Sequence, residues 1–598
     1  MRAFLLTVGF LLAAASPAAG SSARVWVTTP DGAERMHDRG SVAFTRGGSD
    51  ALTISVDPSR DYQSMDGFGA SITDSSASVL YELSKPQRDA AMRSLFADNR
   101  LSFLRQPIGA SDFVDGPHYT YDDVPAGRTD YGLRRFSIAH DRAQILPLLR
   151  QALRLNPQSK VIGSPWSPPA WMKTNQSLIG GRLIDSPRIY DAYARYLVKF
   201  VRAYKREGVP VYALTVQNEP QNRRPSGYPG MDMPVAQQAK LIAVLGPMLR
   251  KARLDTKILG YDHNWSVHPD DIASTPPGED PEVEYPTTLL RSRAARWIAG
   301  TAFHCYSGDP SRQTALHRAF PRKGIWFTEC SGSHGATDPP AQFFSDTLKW
   351  HARNLVMGIT RNWGKTVVNW NLALHPDGGP HNGGCDTCTG VITVDGATWS
   401  QNAEYFTLGH LARFVRPGAV RIASTSFGTT GWNGQIMDVA FRNRDGSTAL
   451  VVHNENDEPR SFAVAQGGSS FDYALSGGAL ATFVWSAPLD DGYRLLDPPA
   501  GPEEAVDDDA TTAWTGESLE LDLGRVQRVR RVVLDTGTHA GPEGYALSTS
   551  TDGARWREAG TGAGTGQLTT IDIPATPARY LRVALTEPAT VADVRVYR

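Results

Sequence analysis

Two glutamates end apolar runs that are typical of buried strands. Glu219 closes the stretch LTVQNEP, and Glu329 lies in FTECSG later in the chain. When two carboxyl groups flank one ligand, the first can protonate a leaving atom while the second attacks or directs a water molecule. A salt bridge at a strand end would explain either glutamate alone. The chemical hypothesis therefore requires that the fold bring both together.

Eight short runs rich in β-branched and aromatic residues recur from residue 60 onward. They are MDGFGASI, LSFLRQPI, KVIGSPW, YALTVQNE, TKILGYD, GTAFHCY, GIWFTEC and KTVVNWN. Between them lie segments such as PRIYDAYARYLVKFVRAYKREG, whose apolar residues recur three and four positions apart as in amphipathic helices. Strands and helices that alternate eight times, with strands apolar on both faces, predict an α/β fold, a (β/α)8 TIM barrel over residues 61–410.

Polar and aromatic residues gather where these predicted strands end. Besides the two glutamates, the set comprises Arg105, Trp166, Asn218, Asp262, His263, His304, Tyr306, Trp370 and Asn371. The C-terminal rim of such a barrel carries the chemistry, because the strand middles are packed and the ends are exposed. The flat indole rings of Trp166 and Trp370 suit the apolar face of a pyranose, and Asn or Asp can bind its hydroxyl groups. A carboxyl pair at such a mouth predicts hydrolysis of a glycosidic bond.

The separation of the two carboxyl groups would decide the stereochemistry. A gap of about 5 to 5.5 Å gives retention through a covalent intermediate, and a gap of roughly 6.5 to 9.5 Å gives inversion. The sequence leaves this distance open. Because both residues are Glu, their surroundings must assign the roles. We expect Glu219 to lie near an ionised neighbour whose negative charge keeps it protonated for the first step.

These motifs together resemble glycoside hydrolase family 30, the family of glucosylceramidases and microbial β-1,6-glucanases. The matching stretches are DGFGASITDSSA, FLRQPIGASDF, GSPWSPPAWMKTN, TVQNEP, FHCYSGD, WFTECSGS and NWNLALHPDGGP. The resemblance implies that Glu219 is the acid/base and Glu329 the nucleophile of a retaining enzyme, with Asn218 binding the sugar 2-hydroxyl. It also implies a sugar pocket lined by Asp74, Trp166, His304, Tyr306 and Trp370. From the residues alone, Asp74 could instead cap the helix that begins at SSASVLYEL.

The resemblance implies a β-D-glucoside as substrate, either glucosylceramide-like or a β-1,6-glucan. A xylan- or fucoside-acting relative is the alternative within the same class of enzyme. A catalytically inactive carbohydrate-binding surface protein is the alternative from another class, and the presence of both glutamates counts against it. We expect no cofactor and no catalytic metal.

The pattern changes after the predicted barrel. Short alternating strands without intervening helices predict a β-sandwich over residues 411–488, and the early strands in residues 21–60 are expected to complete it. A linker at 489–499 follows. Residues 500–598 resemble the discoidin, or coagulation factor C-terminal, type of carbohydrate-binding module, which implies a β-sandwich jelly roll. There, Asp507, Asp508 and Asp509 could hold a structural calcium or form a solvated acidic turn.

Charge and the N-terminal residues bear on partners and compartment. Lys and Arg number 61 against 62 for Asp and Glu, so no cationic surface is expected for nucleic acid or anionic lipid. Residues 1–20 have the layout of a secretory signal peptide, with an apolar run shorter than the roughly 20 residues of a membrane span. We therefore expect a secreted protein with no integral membrane span, and we expect a monomer.

The chain contains four cysteines. Cys385 and Cys388 could close a tight loop in GGCDTCTG. Cys330 is expected to be a buried thiol, on the opposite face of its strand from Glu329. The four do not form the two close pairs that are typical of structural zinc.

Overall fold

The computed structural model describes residues 21–47, 49, 52–333, 339–428, 434–486, 492–497, 499–507 and 509–598. The predicted signal peptide at 1–20 lies outside the described residues. The described chain forms three units, an α/β barrel, a β-sandwich and a C-terminal β module. None of the helices in the described part has both the length and the apolar character that a bilayer crossing requires.

Eight parallel strands form a nearly closed barrel, which confirms the predicted fold class. In chain order they are Gly67–Ser71, Phe103–Pro107, Lys160–Ser164, Val211–Thr215, Lys257–Asn264, Ile298–His304, Gly324–Glu329 and Thr366–Asn371. The first seven strands pair in chain order, from the first with the second to the sixth with the seventh, and the eighth pairs with the first. The seventh and eighth strands are joined by hydrogen bonds from Lys365 N to Ile325 O (2.9 Å) and from Trp370 N to Cys330 O (2.7 Å).

The barrel interior is filled by side chains from its own strands. Seven of the eight strands contribute one member each to a buried cluster, namely Phe103, Ile162, Ala213, Leu259, Ala302, Trp326 and Val368. A barrel whose interior is packed in this way leaves only the strand ends open to a ligand. The packing therefore confines the candidate chemistry to the C-terminal rim.

Helices surround the barrel. Their bounds are Asp74–Glu82, Lys85–Arg93, Ile145–Leu155, Pro187–Arg206, Val235–Lys251, Pro269–Ala273, Tyr285–Arg291, Ser311–Ala319, Pro340–His351 and Ala403–Ala412. The longest begins with Ser186, whose hydroxyl accepts a hydrogen bond from Ile189 N, and has Pro187 in its first turn, as expected for a helix start. Thr73 caps the first helix, so Asp74 lies in its first turn and is not the cap.

The β-sandwich is built from both ends of the catalytic unit. Its strands are Ser22–Thr28, His37–Ala43, Thr45–Arg46, Thr53–Ser64, Val420–Ser424, Ile436–Arg442, Thr448–Asn454, Arg460–Gln466, Ser469–Leu475 and Leu480–Trp485. The strand Ser22–Thr28 lies between His37–Ala43 and Leu480–Trp485 and pairs antiparallel with both. A separate core of Val, Phe and Trp side chains fills this unit.

The C-terminal module is a five-stranded antiparallel unit with its own core. Its strands are Trp514–Asp535, Gly544–Ser550, Arg557–Ala563, Leu568–Val591 and Asp593–Tyr597. In the acidic turn, Asp507 accepts hydrogen bonds from Asp509 N (3.0 Å) and the Thr512 hydroxyl (2.8 Å). Asp508 lies outside the described residues, and calcium there stays a prediction.

Both cysteine pairs form disulfides, Cys305–Cys330 and Cys385–Cys388. The expectation that Cys330 is a free thiol was wrong. His304 and Glu329 are paired across neighbouring strands, so the residues that follow them also meet, with Cα atoms 5.4 Å apart. That distance is within the range that a disulfide spans.

Candidate active site

Glu219 and Glu329 meet at the C-terminal mouth of the barrel. One carboxylate oxygen from each, together with a ring nitrogen of His304, lie within 4.8 Å of one another. Glu219 has a backbone φ of +45°, which L-residues rarely adopt, and its N–H donates to the Asp262 carbonyl at 2.9 Å. A non-glycine residue held in this conformation costs of the order of 1–3 kcal/mol and is found most often at functional sites.

Arg105 holds Glu329 from below the mouth. Its side chain is fully buried, and its Nη1 donates to Glu329 Oε2. Its Nη2 donates to Asn218 Oδ1 at 2.7 Å and to Asp262 Oδ2 at 3.0 Å. The hydroxyl of Tyr306 donates to the other oxygen of Glu329 at 3.0 Å. Both oxygens of Glu329 are thus fixed in orientation, and Asn218 is tied to the same cation.

His304 lies between Asp262 and Glu219, and its charge affects the pKa of the carboxyl groups around it. Its Nε2 is 3.0 Å from Asp262 Oδ1, and its Nδ1 is 3.4 Å from Glu219 Oε1. Burial opposes the cationic ring, but the charge of Glu329 and the hydrogen bonds to Asp262 and Glu219 outweigh it and raise the pKa of His304 to about 9. The ring is therefore a cation at neutral pH.

This cation favours the ionised form of Glu219, the opposite of the predicted protonated state. Burial opposes the ionised form of Glu219, but the hydrogen bond from His304 and the nearby His263 and His304 rings lower its pKa to about 2. Burial raises the pKa of Glu329, and the charges of His304 and Arg105 offset that rise only in part. The prediction failed because the charged group that hydrogen-bonds to Glu219 is the cationic ring of His304, whereas an ionised carboxylate was expected.

The predicted aromatic residues are at the mouth, but they pack on each other. The rings of Trp166 and Trp370 are stacked with centroids 4.9 Å apart, and the Arg105 guanidinium lies within 4.8 and 5.4 Å of them. Each tryptophan is only 2% exposed, so little of either ring is free to contact a sugar. Phe113 packs edge-on against Trp370.

The side chain of Asp74 bonds to residues other than the two glutamates. Its carboxylate accepts a hydrogen bond from the Tyr119 hydroxyl at 3.1 Å and is 2.5 Å from His140 Nε2. Both partners belong to the segment after the second barrel strand. The structure therefore brings Asn218, His304 and Tyr306 to the glutamates and the tryptophans to Arg105, while Asp74 contacts a neighbouring loop.

Several site residues escaped the sequence interpretation. Arg105 and Asp262 were noted at strand ends without a role. Asn222 donates to Glu219 Oε2 at 3.1 Å and to the Tyr228 hydroxyl at 2.9 Å. Burial and the charges of Glu329 and Glu219 raise the pKa of Asp112 well above its usual value. Of these residues, Asn222 could have been found from the sequence, because it follows Glu219 by only three positions.

The same cluster has the spacing of a metal site. Within the described ranges, Glu219, His304 and Glu329 form the one group of three such residues whose ligand atoms converge. The Arg105 guanidinium already supplies a positive charge to Glu329, and His304 is itself cationic, which disfavours a second cation among them. The arrangement fits acid–base and nucleophilic chemistry by the side chains alone.

Comparison with known proteins places this mouth in a family. The model of the glycosyl hydrolase family 30 TIM-barrel domain matches residues 65–415. The chain belongs to glycosyl hydrolase family 30. The beta sandwich domain of family 30 matches residues 418–483, and an F5/8 type C domain matches residues 490–595. The predicted resemblances to family 30 and to a discoidin-type module are both confirmed.

Similar proteins include enzymes named for two substrates. An endo-1,6-beta-D-glucanase of Neurospora crassa is 34% identical over 469 residues, covering 75% of this family 30 chain and 91% of the relative. A lysosomal acid glucosylceramidase of Mus musculus is 28% identical over 495 residues, covering 78% of this chain and 90% of the relative. A solved endo-beta1,6-glucanase has a TM-score of 0.68 at 32% identity and covers 78% of this chain and 100% of its own.

Proposed function

We propose that this family 30 hydrolase cleaves β-D-glucosidic bonds with retention of configuration, Glu329 acting as nucleophile and Glu219 as acid/base. The observation that carries the proposal is the approach of the two carboxylates within 4.8 Å. Retaining glycosidases place the pair about 5 to 5.5 Å apart, whereas inverting enzymes leave a wider gap for water. Relatives named as endo-1,6-beta-D-glucanase and glucosylceramidase support a glucosyl unit as the group transferred.

In the first half-reaction, a Glu329 oxygen attacks the anomeric carbon while the bond from that carbon to the leaving oxygen breaks. Glu219 delivers a proton to the leaving oxygen. Arg105 and Tyr306 hold the Glu329 carboxylate in place for the attack. In the second half-reaction, water attacks the same carbon, the ester bond to Glu329 breaks, and Glu219 takes the proton from water. Two inversions restore the β configuration.

His304 is the reservoir for the transferred proton. In the free site, Asp262 and Glu219 favour the proton on the His304 ring, 3.4 Å from a Glu219 oxygen. As the leaving oxygen gains negative charge it becomes more basic, so the proton passes from His304 Nδ1 to Glu219 while Glu219 protonates the leaving group. Glu219 returns a proton to His304 in the second half-reaction. The pair thus carries one mobile proton, which belongs to neither residue alone.

We also propose export and a monomeric state. The described residues hold two disulfides, which form and persist in oxidising compartments. Light scattering of the purified protein should give the mass of a single chain, and a dimer would contradict the monomer.

The stereochemistry of the first-formed product tests the proposal. Proton NMR during hydrolysis of an aryl β-D-glucoside should show β-glucose before mutarotation. An α product would contradict retention and the assignment of Glu329.

Azide distinguishes the two glutamates. In Glu329→Gly, azide can enter from the face that the nucleophile occupied, so the expected product is the α-glucosyl azide. In Glu219→Gly, with a dinitrophenyl leaving group that requires no proton, azide should attack the glucosyl-enzyme and give the β-glucosyl azide. Exchanged products would reverse the roles of the two residues.

A further inference from the structure

The strand that carries Glu329 has less backbone support than the inner strands of the barrel. This strand, Gly324–Glu329, lies at one end of the sheet, and Thr366–Asn371 lies at the other. The two are joined by the backbone hydrogen bonds given above, whereas every other adjacent pair of barrel strands forms a ladder. The position of Glu329 therefore depends mainly on the pairing of its strand with the sixth strand, Ile298–His304.

That pairing is irregular at its last step. From Phe327 to Glu329 the seventh strand advances two residues while the sixth advances one, so Thr328 is an extra residue, a β-bulge. Side chains alternate along a strand, and Phe327 belongs to the core that the barrel strands share with the surrounding helices. Strict alternation would direct Glu329 to that same core. The bulge instead lets the Thr328 hydroxyl reach Asp262 at 2.7 Å while Glu329 reaches Arg105.

The Cys305–Cys330 disulfide follows this bulge directly. Cys330 is the residue after Glu329, and Cys305 comes between His304 and Tyr306. Both cysteines are buried in the core that the strands share with the helices. The disulfide therefore acts on the site through the backbone of two strand ends.

The disulfide closes a ring of contacts around the nucleophile. The Tyr306 hydroxyl donates to Glu329 Oε1 at 3.0 Å, and peptide bonds join Tyr306 to Cys305 and Glu329 to Cys330. The bond between the two sulfur atoms completes the ring. Outside the ring, the Cys330 carbonyl accepts a hydrogen bond from Trp370 N at 2.7 Å. Loss of the covalent link would let the end of the nucleophile strand move relative to Tyr306.

We propose that the Cys305–Cys330 disulfide positions the nucleophile, holding the bulged strand end so that Glu329 stays between Arg105 and Tyr306. This inference rests on the proposed function, in which Glu329 attacks the sugar. The two cysteines are positioning residues, because they act through the backbone of their neighbours. A misplacement of about 1 Å can slow a reaction by about 10²-fold, so the bond bears on rate as well as on stability.

Two substrates separate an effect on the nucleophile from an effect on the acid/base. Phenyl and dinitrophenyl β-D-glucosides both require attack by Glu329, whereas the dinitrophenyl group leaves without a proton from Glu219. We expect Cys305→Ala/Cys330→Ala to lower kcat/KM by about 10- to 100-fold on both substrates. A loss on phenyl glucoside alone would place the effect on the acid/base and overturn the proposal.

The pH profile gives a second readout. Burial lowers the pKa of His304, and the charge of Glu329 is the largest of the effects that oppose burial and raise that pKa to about 9. If Glu329 moves away from the ring, the pKa of His304 falls. The alkaline limb of kcat/KM for phenyl glucoside should therefore move to lower pH in the double variant. A limb that stays in place would overturn the proposal, because a loss of stability alone leaves the charges around His304 as they are.

The second disulfide supplies a matched control. Cys385 and Cys388 are three positions apart, so their bond lies within one loop. Cys385→Ala/Cys388→Ala should keep kcat/KM for both glucosides within about threefold and leave the alkaline limb in place. An equal loss and an equal shift in this control would show that any disulfide has the same effect, which would overturn the role of Cys305–Cys330.

Chemical reduction tests the proposal in a protein that has already folded. In Cys385→Ala/Cys388→Ala, the bond between Cys305 and Cys330 is the remaining disulfide. Dithiothreitol supplies two electrons and two protons, is itself oxidised to a disulfide, and leaves two thiols. Mass spectrometry after alkylation counts those thiols. Activity should fall by about 10- to 100-fold and return on reoxidation with oxidised glutathione, and full activity in protein with two free thiols would overturn the proposal.

The wild-type protein separates this inference from the proposed function. Hydrolysis with retention by the wild type, together with full activity of Cys305→Ala/Cys330→Ala on both glucosides, would overturn the positioning role and leave the proposed function intact. A wild-type protein that cleaves neither glucoside, or that releases an α product, would overturn the proposed function and this inference with it.

Discussion

Two buried arginines in this protein have similar partners and opposite uses. Arg105, at the barrel mouth, donates to Glu329 and Asp262. Arg595, between the module and the sandwich, donates to Asp593 at 2.8 Å, to Asp535 at 2.7 Å and to the Thr425 hydroxyl at 2.6 Å. Each guanidinium therefore neutralises two carboxylates that are removed from water.

The difference lies in how completely each carboxylate is satisfied. The Asp535 carboxylate accepts three hydrogen bonds besides the one from Arg595, and their donors are Gly537 N, Gln567 Nε2 and Thr425 Oγ1. Among the residues that the structure describes, only Arg105 and Tyr306 donate hydrogen bonds to the Glu329 carboxylate, and burial raises the pKa of Glu329. A carboxylate with few donors in a dry pocket can change its charge during a reaction, whereas a saturated one fixes an interface.

Removal of Arg105 should give the largest effect. Arg105→Met leaves Glu329 and Asp262 buried beside each other without their shared guanidinium. We expect kcat for phenyl β-D-glucoside to fall by about 10²–10³-fold, the typical effect of losing a preorganised catalytic donor. Steady-state kinetics on protein with a native circular dichroism spectrum measures this. A loss below tenfold would mean that Arg105 is structural, as Arg595 is.

The equivalent change at the interface should alter stability and spare catalysis. Breaking a buried ion pair on one side costs about 3–5 kcal/mol, so Arg595→Met should loosen the module from the sandwich. Hydrogen exchange should accelerate around Thr425 and Asp535, while kcat for phenyl glucoside stays within about twofold. A fall in kcat as large as that in Arg105→Met would contradict the different roles assigned to Arg105 and Arg595.

The two networks should also respond differently to pH. The folded pKa of His304 is about 9 against an ordinary value of 6.5, so its stabilising contribution is complete below pH 6.5 and is lost as the pH rises through 9. The melting temperature should fall across that window in the wild type and in Arg595→Met. In His304→Gln this part of the slope should disappear. An unchanged slope would show that His304 is not the titrating group.

The smallest expected effect concerns a neutral contact. The Gln567 side chain bonds both backbone groups of Thr53, accepting from its N–H at 2.7 Å and donating to its carbonyl at 3.0 Å. Gln567→Ala should cost about 1–2 kcal/mol, because each neutral hydrogen bond contributes about 0.5–1.5 kcal/mol. Amide exchange at Thr53 should rise about tenfold with activity unchanged. Exchange at the wild-type rate would show that this pair contributes little to docking.

The sequence predicted the barrel well, because the period of each strand and the polar residues at its end are local signals. It also placed both glutamates at one mouth. It could not give the charge states of the two glutamates. Those depend on the position of His304 between Asp262 and Glu219, and these three residues come from three different strands or loops. Strand alternation likewise gives the face of Cys330, but it does not show that Cys305 lies opposite on the next strand.

The docking of the module was beyond prediction for the same reason. Gln567 and Thr53 are separated by 514 positions, and neither residue type marks an interface on its own. Contacts of this kind depend on the final arrangement of two folded units, and a single sequence without an alignment carries no pattern for them.

The central position of Ser22–Thr28 in the sandwich has a consequence for biosynthesis. This strand is made first, yet one of its two neighbours, Leu480–Trp485, emerges from the ribosome only after the whole barrel has been translated. The leading strand must therefore stay unpaired on that edge while hundreds of residues are added behind it. A factor that shields this edge during synthesis should therefore raise the yield of folded protein.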